Sequence, residues 1–99
     1  MPLRITRLAD ADLVEISEYT ARQWGKAQAG KYAIAFAEAL QRLSDDPIIP
    51  TSRARDDLLP GCRILAIEQH FIVYRHRKGT TEILRVLHHR MNLPLHRLA

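Results

Sequence analysis

The chain is short of nearly everything that marks a specialised chemistry. Its 99 residues hold one cysteine, Cys62, so no intramolecular disulfide can form and a reducing compartment is expected. An isolated thiol of this kind reads as a small buried hydrophobe. The four glycines stand singly at turns, which excludes a glycine-rich phosphate loop. Ser17, Ser44 and Ser52 fall on a helical segment, at a helix end and in a loop, without the strand–turn–helix setting of a nucleophile elbow. Apolar runs are far shorter than a membrane span, and the opening "MPLRITRLADAD" has no secretory hydrophobic region. A cytoplasmic protein with no membrane partner is the expectation.

Hydrophobic residues make up 46% and charged residues 26% of the sequence, a balance that suits one soluble domain spanning 1–99. The net charge of +4 is unevenly placed. Residues 1–49 carry six Lys/Arg against seven Asp/Glu, whereas 50–99 carry nine against four. A basic C-terminal half points to an acidic protein partner or to nucleic acid.

"LRITRL" (3–8) alternates as a half-buried strand does. In "ADADLVEISEYTARQWG", Leu13, Ile16, Thr20 and Trp24 recur at three- and four-residue steps, an apolar helical stripe that Asp10 or Asp12 would cap and Gly25 would end. A second helix follows at once, with Ala29, Tyr32, Ala33, Phe36, Leu40 and Leu43 on its inner face and Ser44–Pro47 as its stop. So short a connection implies an antiparallel helical hairpin. The proline-punctuated segment 48–61 reads as a connection with at most one helical turn. After it the period changes to two, and "CRILAIEQ" (62–69), "FIVYRHR" (71–77) and "EILRVLHH" (82–89) read as strands, with Lys78–Thr80 as one hairpin turn.

The fold class is therefore α+β, in the order β-α-α-β-β-β, with a two-helix antiparallel hairpin on one face of a small antiparallel-rich sheet. The expected core comprises Leu13, Ile16, Trp24, Tyr32, Phe36, Leu40, Leu84 and Val86. Leu84 and Val86 should face one side, Ile83 and Leu87 the other. A sheet apolar on both faces needs a second cover, either the C-terminal tail or another chain.

His88 and His89, adjacent on a strand, should point to opposite faces and make a poor metal pair even with His96. His70 and His76 stand at strand ends and read as solvated. The notable set is basic: Arg63, Arg75, Arg77, Arg85 and Arg90. Guanidinium groups on a rigid sheet can grip carboxylates or phosphates in bidentate fashion.

Four segments stand in order at family spacing: "ADLVEISEYTARQWGKAQAGKY" (11–32), with Asp12, Leu13, Ile16, Tyr19 and Tyr32; "LLPGCRI" (58–64), with Pro60, Gly61 and Arg63; "FIVYR" (71–75); and the closing "ILRVLHHRMN" (83–92). Through them the chain resembles, over nearly its whole length, the ParE branch of the RelE/ParE toxin superfamily of bacterial toxin–antitoxin modules. The resemblance implies the hairpin-on-sheet fold with the first strand beside the last.

It also implies a toxin that acts on DNA gyrase without catalysis or cofactor, and a ParD-like antitoxin bound tightly to it. Antitoxin contacts are then expected at Arg63, Phe71, Val73, Arg75 and Arg77. Target contacts are expected at Arg85, His88, His89, Arg90, Met91 and His96, along the end of the last strand and the exposed tail that follows it. RelE-like members of the superfamily are instead ribosome-dependent mRNA endonucleases. Their lysine positions are Ile64 and Ala66 here and their third-strand arginine is Phe71, so a ribonuclease would have only Arg90 and His96. A third possibility is a non-toxic binding or plasmid-maintenance module. Direct contact with nucleic acid is left open.

Overall fold

Thr6 sets the first turn of the architecture. Its backbone N–H donates to the Ile83 carbonyl at 3.0 Å, and its Oγ1 donates to the Leu84 carbonyl at 3.0 Å. The same Oγ1 accepts the Ala9 N–H at 3.2 Å, so one threonine closes a strand and caps a helix. The expected six-residue strand is thus cut to three. The helix starts three residues before Asp10, which lies in its first turn and does not cap it.

The computed structural model describes residues 2–90 together with Leu93 and Leu98. Its elements are β1 (Leu3–Ile5), α1 (Arg7–Trp24), α2 (Lys26–Asp45), β2 (Ser52–Ala54), β3 (Cys62–Ile67), β4 (His70–Arg77) and β5 (Thr80–His88). The sheet runs β1-β5-β4-β3-β2, with β1 parallel to β5 and all other pairs antiparallel. This is the expected α+β order with one addition, the edge strand β2, inside the segment read as a connection. Gly25 alone joins the helices: at φ 91° it ends α1 through a bond to Ala21 and accepts the Ala29 N–H that opens α2. Lys78 and Gly79, both at positive φ, make the two-residue turn whose twist suits a β4–β5 hairpin.

The helical layer covers one face. Ala9, Phe36, Ala39 and Leu43 pack on Leu65, Ile72, Tyr74, Ile83 and Val86, with Leu13, Ile16, Tyr32 and Leu40 at the margin. The Tyr74 hydroxyl donates to the Pro47 carbonyl at 2.7 Å, which ties the chain beyond α2 to the sheet. Trp24 departs from expectation: it is 72% exposed, because α1 ends there and its last side chain overhangs the sheet. Ala33 is exposed as well.

A bulge changes the face assignment of β5. Val73 pairs with Arg85 but Tyr74 pairs with Ile83, leaving Leu84 as the extra residue. The alternation shifts phase there, so Ile83 and Val86 share the helical face while Leu87 lies on the other. The expected pairing of Leu84 with Val86 is corrected accordingly.

The opposite face has its own cluster: Cys62, Ile64, Val73 and Leu87, covered by Leu93 and Leu98 with Leu58, Leu59 and Phe71 alongside. Of the two possible covers, the chain's own C-terminal segment supplies these two leucines. They are buried, which corrects the expectation of a wholly exposed tail. Among the described residues no helix is long and apolar enough to cross a membrane.

Candidate functional site

Where the hairpin overhangs the ends of β4 and β5, a cleft of about 680 Å³ opens. Tyr19, Trp24 and Tyr32 line it from the helices and His70, Val86 and His88 from the sheet, while Arg22 and Arg90 add positive charge. Tyr19 and Trp24 are 55% and 72% exposed. Aromatic side chains held this way offer large apolar area at little entropic cost on binding.

Three histidines meet beside this cleft. The His70 ring stands edge-on to Tyr32, Phe36 and His88, with centroids 6.4, 5.9 and 5.2 Å away. His88 and His89 stack at 4.5 Å, although strand alternation predicts opposite faces. The reason is that β5 ends at His88, and His89 lies in the following turn.

The bonding fixes two tautomers. His89 Nδ1 lies 2.9 Å from the Gln69 carbonyl and must carry the proton, whereas His88 Nδ1 accepts the Arg90 N–H at 3.1 Å and cannot. His70, expected to be solvated, has a buried Nδ1 with no partner among the described residues. Burial, and then the neighbouring His88 and His89, pull its pKa down to about 4. Burial with His89 and Arg90 lowers His88 as well. Among the described residues no three His, Cys, Asp or Glu side chains are grouped to hold a metal ion.

The arginines divide between separate places. Arg85, expected at the target surface, donates from Nε to Asp12 Oδ2 at 2.7 Å and from a terminal nitrogen to Oδ1 at 2.9 Å. Asp12 also accepts the Val86 N–H at 2.9 Å. This bidentate pair fastens α1 to β5 beside the bulge, with both side chains at most 15% exposed. Asp12, read as a possible helix cap, is a structural anion.

Arg63 stands opposite Tyr74, hence on the helical side of the sheet, where its Nε and a terminal nitrogen donate to Ser52 Oγ at 3.0 and 2.9 Å. It holds β2 to β3 and shares no face with Arg75 and Arg77. Val73 is fully buried and Phe71 half-buried. Of the five expected antitoxin contacts, Phe71, Arg75 and Arg77 therefore share one face, on which Arg77 is exposed while Phe71 and Arg75 are partly buried.

Arg75 and Arg77 each donate Nε–H to Glu82 Oε1 at 3.0 Å, and Arg4 donates to Glu82 Oε2. These hydrogen bonds, Arg4 foremost, hold the Glu82 pKa down to about 2 against the cost of burial. The Glu82 side chain is 7% exposed, while those of Arg4 and Arg77 are 61% and 55% exposed. Glu82 and Arg4 were missed at the level of sequence. The available signal was that Glu82 is the single acidic residue after Glu68, set among arginines. Arg90 is exposed; Met91 and His96 lie outside the described residues.

The model of the ParE toxin of type II toxin–antitoxin systems (parDE) matches residues 3–93. The chain belongs to the ParE toxin family. It is 38% identical over 86 residues to Toxin ParE1 of Mycobacterium tuberculosis, covering 86% of each chain. To Toxin ParE1 of Caulobacter vibrioides it is 34% identical over 96 residues, covering 96% of each, and to Toxin ParE of Escherichia coli 34% over 92 residues, covering 90% of this chain and 85% of the relative. A solved structure titled as the chromosomal ParDE toxin–antitoxin system from P. aeruginosa superposes with a TM-score of 0.75 at 27% identity, covering 89% of this chain and 95% of that one. The match takes in every strand and helix of this ParE-type toxin, the cleft and the Glu82 cluster included.

Proposed function

We propose that this toxin inhibits growth in the cytoplasm by poisoning DNA gyrase through surface contact, without catalysis or cofactor, and that a ParD-like antitoxin neutralises it in a tight complex. The observation that carries the non-enzymatic reading is the composition of the sheet at the positions where ribonucleases of the superfamily keep their cations. Ile64 is buried in the second cluster and Phe71 packs against it, and Ala66 has no ionisable group. Mutual packing of this kind leaves nothing there to move a proton or to stabilise a phosphorane.

Target contacts fall to His88, His89 and Arg90 at the exposed end of β5, with Met91 and His96 beyond. We place the antitoxin seat in the cleft, in place of the expected contacts at Phe71, Arg75 and Arg77, because the exposed aromatics line the cleft: an apolar face of a partner segment would meet Tyr19, Trp24 and Tyr32, with acidic residues at Arg22 and Arg90. Ordering such a segment costs entropy on binding, which burial of aromatic anchors offsets. Titration calorimetry with the ParD-like protein tests this: Trp24→Ala should weaken binding at least tenfold, and unchanged affinity would remove the cleft from the interface.

A further inference from the structure

We propose that the sheet face opposite the helices carries a sequence-independent seat for the phosphate backbone of duplex DNA, built from Arg4, Arg75 and Arg77 around Glu82. The three arginines and the carboxylate stand on neighbouring strands, with Arg4 and Arg75 both opposite Glu82 in the register. The span from β1 to β4 is two inter-strand steps of about 4.8 Å each. Three positive charges face one negative charge. With its pKa near 2, Glu82 stays ionised at any working pH, so the local excess of positive charge is permanent.

Donor geometry points the same way. Arg75 and Arg77 spend only their Nε–H on Glu82, and Arg4 spends one terminal nitrogen. Among the described residues the other donors of these guanidiniums have no partner. One buried carboxylate therefore fixes three guanidiniums in place: the Arg75 side chain is only 17% exposed and stands behind, while Arg4 and Arg77 are the two that present N–H groups to oxygen acceptors. Lys78 is exposed in the adjoining turn.

The surroundings favour a phosphate backbone over an acidic protein. Protein interfaces anchor on apolar or aromatic side chains, and backbone contacts need only cations. The large exposed hydrophobics lie elsewhere: Val14, Tyr19, Trp24 and Ile34 on the helices, Ile48 after α2, and Ile5 on the helical side of β1. Single-stranded nucleic acid needs a stacking platform. Phe71, on the same face, stands six positions from Arg77 along β4, about 20 Å away at strand rise. A duplex held by its phosphates fits what remains. The inference does not depend on gyrase being the target.

The test is fluorescence anisotropy of a labelled 20-base-pair duplex of arbitrary sequence, titrated with purified toxin in roughly 50 to 200 mM KCl. Each neutralised phosphate contributes about −0.9 to the slope of log K against log salt. Arg4→Gln/Arg77→Gln should therefore make the slope shallower by about 1.8, and Arg4→Lys/Arg77→Lys should keep it. Lys31→Gln, on α2, should leave it unchanged. Arg77→Gln alone, in which Glu82 keeps two arginines, should give half the change and serves should the double variant fail to fold by circular dichroism. No saturable binding at the lowest salt, or a slope indifferent to these substitutions, would overturn the proposal. So would a polyglutamate peptide that binds as tightly with the same dependence on Arg4 and Arg77, which would assign the face to an acidic protein.

Discussion

Acidification from about pH 7.5 to pH 5 should destabilise this fold through His70. Its ring is enclosed by Tyr32, Phe36 and His88, and its pKa falls from 6.5 to about 4 on folding. Between those values the unfolded chain binds the proton and the native ring does not. Stability is therefore full above pH 6.5, declines as pH drops through 6.5, and levels off below 4. At pH 5 the linkage amounts to about 2 kcal/mol, against almost none at pH 7.5. For a domain of this size that lowers Tm by about 10 °C. His88 acts in the same direction, so the informative quantity is a difference between proteins. His70→Phe keeps an aromatic ring, removes the unpaired Nδ1 and abolishes its titration. Urea denaturation at both pH values should give a pH effect about 2 kcal/mol smaller in the variant. Equal pH effects in the two proteins would refute a partly buried His70 held neutral in the folded chain. Glu82 titrates separately: its folded pKa of about 2 lies below the ordinary 4.5, so its contribution is present above pH 4.5 and is lost below it.

Asp12→Ala should cost on the order of 3 kcal/mol in urea denaturation, because it leaves the Arg85 guanidinium and the Val86 N–H without their shared acceptor. Addition of Arg85→Met should recover part of that loss, and strictly additive effects would contradict the pairing. Leu43→Ala removes a fully buried side chain and should cost about 2–5 kcal/mol by cavity formation. Trp24→Ala should change stability by less than about 0.5 kcal/mol; a large loss would return Trp24 to the core.

Periodicity carried most of the architecture, since both helices, the three long strands and the partnership of β1 with β5 follow from pattern and family resemblance. What escaped was whatever depends on tertiary partners. A three-residue edge strand held by Arg63 on Ser52 has too little sequence to show a period. The bulge at Leu84 inverts the face of every later residue in β5, and no local signal at that position announces it. Trp24 obeys the helical stripe and is nevertheless exposed, because the stripe continues past the surface it covers. The basic set was legible as composition only. Alternation could have separated Arg63 from Arg75, but the capture of Arg85 by Asp12 and of three arginines by Glu82 joins residues distant in sequence. Truncation of residues 91–99 consequently removes Leu93 and Leu98 from the second core and would confound a test of the tail.

The most direct test of the central claim is a supercoiling reaction with purified gyrase and toxin, run beside programmed ribosomes carrying a defined mRNA. A toxin that poisons gyrase by surface contact should accumulate cleaved DNA with gyrase, leave mRNA intact on the ribosome, and retain most activity in His96→Ala. Site-specific mRNA cuts that disappear in His96→Ala, with gyrase unaffected, would contradict this reading.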